Sequence, residues 1–359
     1  MVIQKELIFP ENIKFHVLLE QLNHSVFFDI ETTGLSWRTS HLYLIGAAFM
    51  ENGCWTLQQW FLQKPSEEKE LLLQFSSFLS GFTQVIHYNG QGFDLPYLAH
   101  KYEDYRLPDP FAHMESLDLY RMVRPFRSLL SLSSLKQKDV ERLLEIPRKD
   151  CCSGKELISR YQEYLGSGSE ELLRLLLLHN HDDVCGLLPL YSVTAYSSLR
   201  SGGFTVSNPV FEEQRLILPL QLIIPLPRPL SAGHERYALE AKGCKAALTV
   251  CGKEGTMKHF YDNYKDYYYL PLEDEAIHKS VGVYVDPAHR RKARPANCYQ
   301  KAAGLFFPQP YPRFSPAFYA GYRQRPAYFL PDDCWPDSGQ KLKDYASDLL
   351  EEIITQARW

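Results

Sequence analysis

The chain has 359 residues, 45% of them hydrophobic, and carries a net charge of −4. It is long enough for two domains with separate cores, and its acidic balance argues against a protein that coats nucleic acid by bulk electrostatics. No stretch reaches the roughly 18 apolar residues of a membrane span, and the opening Met1–Pro10 is too short in its apolar run and too early in its charges for a secretory signal.

Reading from the N-terminus, Ser25–Ile30, His41–Glu51 and Cys54–Leu62 are short apolar runs of strand length, the last two joined through a Glu-Asn-Gly turn at 51–53. The first run continues as Asp29-Ile-Glu31-Thr32-Thr-Gly34-Leu35. Strand alternation puts Asp29 and Glu31 on the same face. Two like charges there each cost several kcal/mol (order of magnitude) to desolvate unless a cation compensates them. Hard oxygen ligands held this way suit Mg²⁺ or Mn²⁺; the bland alternative is a solvated strand end.

Ser66–Phe82 carries Leu71, Leu72, Phe75, Phe78 and Leu79 at helical spacing behind a serine cap, so it predicts an amphipathic helix. Gln84–Tyr88 reads as a buried strand, and the Gly-rich turn after it leads through Asn89 and Phe93 to Asp94 at the start of a helix over Phe93–Tyr105. Ser116–Gly166 reads as helical and polar. Its Lys136, Lys138, Arg142, Arg148, Lys149, Lys155 and Arg160 are the kind of charges that usually just solvate a helix. A new helix begins at Glu170 and carries Leu178-His179-Asn-His-Asp182-Asp183-Val184, with His179 and Asp183 four apart on one face. Pro189 is expected to kink it.

Beyond a Ser201-Gly-Gly linker the pattern changes. Arg215–Ile224, Tyr237–Ala241, Ala246–Cys251, Thr256–Tyr261 and Tyr267–Leu270 are strand-like and suggest a small antiparallel sheet. The apolar run Leu216–Leu226, broken by Pro219 and Pro225, reads as edge strands or a connector. Glu275–Val285 fits helix or strand, and Leu342–Ala357 a terminal amphipathic helix. This region is rich in tyrosine and holds the basic run His289-Arg-Arg-Lys-Ala-Arg294. That combination suits single-stranded nucleic acid, or a Tyr/Phe core with one solvated loop. The eight cysteines show no Cys-x-x-Cys pair and read as reduced thiols of a cytoplasmic protein rather than a zinc site.

Taken in order, Asp29-x-Glu31-Thr-Thr-Gly-Leu, Asn89-x-x-x-Phe93-Asp94 and a histidine followed by Asp183 resemble the DEDD 3′–5′ exonucleases of the ribonuclease H-like superfamily. The chain also resembles the bacterial YprB-type ribonuclease H-like domain proteins. The resemblance spans roughly residues 20 to 200 and implies an α/β fold, a ribonuclease H-like mixed five-stranded sheet with helices on both faces. It places the exonuclease domain at 1–200 and leaves a smaller β-rich accessory domain, with a C-terminal helix, at 205–359.

By position the resemblance makes Asp29, Glu31, Asp94 and Asp183 the ligands of two divalent cations, Mg²⁺ or Mn²⁺. It gives Thr32, Gly34, Leu35, Asn89 and Phe93 to the substrate, although Gly34 equally serves its turn and Phe93 equally serves core packing. The chain departs from the family at the base. The superfamily has Tyr four residues, or His five, before the last Asp, whereas here His179 stands four before. His179 is the candidate general base, with a role as a hydrogen-bonding bystander the alternative. Asp182 competes for the fourth ligand, but Leu178 and Leu177 precede it at the diagnostic spacings.

The reading is a metal-dependent exonuclease on single-stranded DNA or RNA, with no membrane association. Its rivals are a catalytically weak nucleic-acid-binding or partner-docking module and a structure-selective endonuclease on the same fold. Under any of them, some of the helical basic residues can meet the nucleic-acid backbone.

Overall fold

The computed structural model describes residues 1–8, 22–150, 152, 154–331 and 339–356. The chain divides into two compact units, Met1–Ser197 and Ser198–Trp359. The first is built on strands β1 (Val2–Ile8), β2 (Ser25–Thr32), β3 (Leu42–Glu51) and β4 (Cys54–Phe61), helix α1 (Glu68–Leu79), β5 (Gln84–His87), α2 (Asp94–Asp104) and β6 (Glu115–Asp118). Helices α3 (Leu119–Val123), α4 (Gln137–Leu144), α5 (Gly154–Ser167), α6 (Glu170–Leu190) and α7 (Thr194–Arg200, which runs past the boundary of the unit) follow.

The strands form one mixed sheet in the order β1-β4-β3-β2-β5-β6. β2 runs antiparallel to β3 and parallel to β5, and β5 runs parallel to β6. Leu42 to Phe49 of β3 are all buried, which is what an inner strand covered on both faces requires. Phe28, Trp60, Leu71, Leu72, Phe75 and Tyr102 belong to one large apolar cluster, joined by Tyr43 stacked on Tyr161 at 4.1 Å.

The sheet has six strands where five were expected. The additional edge strand is β1, paired with β4 from Val2↔Phe61 to Ile8↔Trp55; most of its side chains are exposed, so it lacks the apolar alternation that marks a strand in sequence. The helical reading of Ser116–Gly166 is also corrected. It opens in β6 and contains non-helical stretches before α4 and again over 145–150. Glu145 ends α4 in the left-handed conformation, with φ of 60°.

In the second unit, β7 (Phe204–Val206), β8 (Val210–Glu212), β9 (Arg215–Gly233) and β10 (Tyr237–Cys251) form one antiparallel sheet. β11 (Lys253–Phe260), β12 (Tyr267–Leu270), β13 (Glu275–His278), helix α8 (Lys279–Gly282), β14 (Arg291–Lys292), β15 (Tyr299–Gln309), β16 (Ala327–Phe329) and α9 (Gly339–Gln356) complete it. Two three-stranded sheets result, β11-β15-β16 and β13-β12-β14. Glu275–Val285 is thus a strand followed by one helical turn. The expected last residue of the terminal helix, Ala357, lies outside the described residues.

Up to Leu222 the proline-broken run is an inner strand rather than an edge or a connector, and beyond it the ladder pairs it with β10 alone. β9 is flanked on one side by β10 and on the other by β7 and β8. Pro219 falls between the segments paired with β7 and β8, where its carbonyl accepts from the Ser207 N–H at 2.9 Å. Pro225, Pro227 and Pro229 flank the point where the register with β10 shifts around Gly243, so a missing N–H breaks little of the ladder. The tyrosines of β12 are engaged locally. Tyr267 stacks on Tyr261 at 4.6 Å, Arg290 lies over Tyr268 at 4.8 Å, and the Tyr269 hydroxyl donates to Asp274 at 2.7 Å.

Candidate active site

Three elements of the first unit and one loop bring a cluster of acids together at the end of β2. Asp29 and Glu31 alternate with buried Phe28 and Ile30, so both carboxylates leave the same side of the sheet. The register of β2 with β3 shifts between Glu31 and Thr32, where the strand gives way to the loop. Asp94 is the first residue of α2 and is buried. α6 packs against β2, β3 and β4. It starts at Ser169, whose hydroxyl accepts from the Leu172 N–H, and buries Leu176, Leu177, Asn180, Val184 and Leu187.

That phase of α6 brings His179 and Asp183 to the carboxylates of β2. His179 Nε2 lies 3.0 Å from Asp183 Oδ2 and 3.4 Å from Glu31 Oε1. The donor atoms of Glu31, His179 and Asp183 all lie within 4.8 Å of one another, close enough to meet at one cation. Asp182 points elsewhere. Its Oδ2 accepts the Lys149 and Asp150 N–H groups at 2.6 and 2.8 Å, and His181 pairs with its other oxygen at 3.0 Å.

The electrostatics of the pocket are those of crowded acids. Burial, with Asp183, Asp94 and Glu31 nearby, holds the Asp29 carboxyl well above its ordinary range. Burial pushes Glu31 up to about 8 against the pull of His179. Asp94 rises to about 7 because of burial, even though its own N–H and that of Ile30 favour the charged form. Burial would likewise raise Asp183, but hydrogen bonds and attraction from His179 and Arg148 outweigh it and the pKa falls. Burial would depress His179, yet Asp183, Glu31 and Asp150 raise it to about 9. Acids that resist ionisation because they are buried, and secondarily because they lie close to one another, form a donor set that a multivalent cation stabilises, so these residues fit divalent metal.

The remaining residues singled out in the sequence sit in two loops. Thr32 Oγ1 and Ser40 Oγ both donate to the Gly34 carbonyl, at 2.9 and 3.0 Å, which ties the loop after β2 into a turn. At its tip Leu35 is 87% exposed. Asn89 lies in the turn after β5 with φ of 61°, and its N–H donates to Asp118 at 2.8 Å. Phe93 packs on Tyr97 at 5.5 Å and joins the core cluster.

Several site residues escaped the sequence reading. Asn180 donates to Asp29 from α6, and Gln59 of β4 holds Asn180 in turn, Nε2 to Oδ1 at 2.9 Å. Arg148, read as a solvated helical charge, is in a loop and nearly buried. It grips Asp183 at 2.6 Å and Glu141 at 2.8 Å. Asp150 meets His179 Nδ1 at 2.7 Å. Lys138 pairs with Asp150, Arg142 with Asp139 and Arg160 with Glu163, so these helical cations are engaged with neighbouring acids. The proximity of Asp182 to Asp183 in sequence hid the signal: one faces the pocket and the other clamps the loop of Arg148 and Asp150.

In the described residues no helix is long and apolar enough to cross a membrane. Among curated proteins none matches the sequence. Similar solved structures include a family B DNA polymerase from Pyrobaculum calidifontis, at 13% identity and TM-score 0.40 over 93% of this chain and 46% of that one. They also include Escherichia coli exonuclease I in complex with a dT13 oligonucleotide, at 11% identity and TM-score 0.31 over 54% of each chain. A third is exonuclease I from Methylocaldum szegediense, at 12% identity and TM-score 0.30 over 54% of this chain and 53% of that one. The chain spans about half the length of each. Residues 26–195 match the RNase_H_2 family model, described as RNase_H superfamily. With its mixed sheet and the helices packed on it, this segment of the chain has the ribonuclease H-like fold that the matching family model describes.

Proposed function

We propose that the first unit is a metal-dependent 3′–5′ exonuclease that hydrolyses single-stranded DNA or RNA, and that the β-rich second unit is accessory to it. One observation carries the reading. Asp29, Glu31 and Asp183, from a strand and a helix far apart in sequence, share a pocket with Asp94 in which each raises another's pKa or is ion-paired to His179.

Asp29, Glu31, Asp94 and Asp183 would hold two divalent cations, Mg²⁺ or Mn²⁺, which supply Lewis-acid stabilisation of the charge on a scissile phosphate. His179 sits with Nε2 facing Glu31 and Asp183 and takes a proton from the attacking water. The attraction of those acids is what holds a proton on His179, so neutralising them frees Nε2 as an acceptor. The water oxygen bonds to phosphorus, the bond from phosphorus to the 3′ oxygen breaks, and the departing oxygen takes a proton from solvent. Leu35, apolar and exposed in the loop that follows Asp29 and Glu31, offers a surface for the terminal base; Thr32 and Gly34 shape that loop, and Asn89 and Phe93 lie in the turn that leads into Asp94. Unpaired cysteines at 54, 152, 185, 244, 251 and 298 suit a reducing cytoplasm.

End-labelled single- and double-stranded DNA and RNA, incubated with Mg²⁺, Mn²⁺ or EDTA, test the proposal. It calls for stepwise shortening from the 3′ end that EDTA abolishes. Cleavage that persists in EDTA, or internal cuts only, would refute it.

A further inference from the structure

Helix α6 carries His179 on a side chain that could turn about two bonds, yet both of its ring nitrogens are engaged. Nε2 faces Asp183 and Glu31, and Nδ1 meets Asp150 Oδ2 at 2.7 Å. We propose that Asp150 is a positioning residue: by accepting the Nδ1–H of His179 it fixes the ring's orientation and tautomer, so that Nε2 is the nitrogen presented to the reacting water. The proposal deepens the exonuclease reading and rests on it for the role of Nε2.

Asp150 is built for this task. Its side chain is only 3% exposed, and Lys138 Nζ holds Oδ2 at 3.0 Å while the Cys152 N–H donates to Oδ1 at 2.9 Å. The carboxylate therefore stays ionised: burial opposes it, but the Cys152 N–H, Lys138 and His179 bring its pKa down to about 2. The backbone is pinned as firmly. The N–H groups of Lys149 and Asp150 both donate to Asp182, which stands between His179 and Asp183 on the same turn of α6. Asp182 is kept charged by His181 and those two N–H groups in spite of its burial.

A chain of fixed contacts thus runs from the helix to the loop and back to the helix, and it returns at the imidazole. A histidine held only through Nε2 would be free to rotate or to carry its proton on the wrong nitrogen. A carboxylate at Nδ1 removes both freedoms, because a buried anion must have a donor opposite it. Asp150 makes no direct contact with the acids of the site; besides His179 it is linked to them through Arg148, whose Nη2 lies 3.6 Å from Asp150 and 2.6 Å from Asp183, so the ring N–H resonance is the readout that isolates its hold on His179.

The test uses the full chain labelled with ¹⁵N-histidine and freed of metal by EDTA. Proton spectra edited for ring nitrogens should show an N–H resonance far downfield of the amides, absent in His179→Gln and moved upfield in Asp150→Asn. Absence of that resonance from the parent, or its persistence unchanged in Asp150→Asn, overturns the proposal. A second measurement reads turnover on a single-stranded oligonucleotide. Asp150→Asn should lower kcat by about 10- to 1,000-fold with KM within about twofold, and Asp150→Glu should recover part of the loss. An unchanged kcat also overturns it. If the parent hydrolyses nothing, the exonuclease reading fails, and the ring N–H resonance still decides whether Asp150 holds His179.

Discussion

The side-chain amide of Asn180 reaches Asp29 at two points, the carboxylate at 3.2 Å and the carbonyl at 3.4 Å, and so ties α6 to β2 through one polar group. Gln59 completes the link by donating to Asn180 Oδ1 and to the Leu177 carbonyl, both at 2.9 Å. The close approach depends on Gly46, opposite Asp29 in β3. A Cβ there would stand 2.1 Å from Asn180 Oδ1 and 2.8 Å from a Val184 methyl.

Asn180→Ala should therefore cost about 1 to 3 kcal/mol of stability, because it leaves the buried Gln59 amide with the Leu177 carbonyl as its remaining acceptor and removes a donor from Asp29. Gly46→Ala should cost a similar amount, about 1 to 3 kcal/mol, by forcing α6 off the sheet. Urea denaturation reads both. The account also requires that each variant bind Mn²⁺ more weakly by calorimetry; unaltered binding in both would show that this contact does not set the position of Asp29.

The crowded acids make the metal-free protein sensitive to alkali. Asp29, Glu31 and Asp94 have folded pKa values above their ordinary ones, with Glu31 near 8 and Asp94 near 7. His179, near 9, is raised as well. The stability that such groups contribute is complete below their unfolded values and is lost as pH rises through the folded ones. Asp150 and Asp183, lowered, act in the opposite sense only at acid pH. The melting temperature in EDTA should fall between about pH 6 and about pH 9, and Mn²⁺ should raise it more at the upper end. A metal-induced shift that is larger at pH 6 would contradict this description of the pocket.

Arg148 joins two acids of unequal burial. Glu141 has a side chain 1% exposed and a pKa that burial raises in spite of Arg148, and Asp183 lies on the other side of the guanidinium. Arg148→Met should cost about 3 to 5 kcal/mol at neutral pH, since it leaves Glu141 charged and buried with only the neutral Gln137 amide as a partner. Part of that loss should return on acidification as Glu141 takes a proton. The double variant with Glu141→Gln should recover most of it. Equal stabilities for the single and double variants in urea would show that Glu141 is not what Arg148 serves.

The parts of this arrangement that were legible in the sequence are those with a period. Asp29 and Glu31 share a face because a strand alternates, and His179 and Asp183 share one because a helix turns every 3.6 residues. Asp94 announced itself at the start of a helix after a glycine-rich turn. Asp150 and Arg148 had no such signature: they lie in an irregular loop, 29 and 35 residues before the His179 and Asp183 they contact, where a basic residue looks like any solvated charge. β1 escaped notice because an exposed edge strand need not alternate. The prolines of β9 misled for a related reason, since what admits them is a gap between β7 and β8 at Pro219 and a bulge in β10 near Pro225, Pro227 and Pro229, properties of the pairing that β9 alone does not encode.

The central claim is that Asp29, Glu31, Asp94 and Asp183 hold two catalytic cations. Diffraction from crystals soaked in Mn²⁺, collected near the manganese absorption edge, tests it most directly. The account predicts two anomalous peaks about 3.5 to 4 Å apart, bounded by those four carboxylates, and their loss in Asp29→Asn. Anomalous density located away from these carboxylates, or none in the pocket at saturating Mn²⁺, would contradict it.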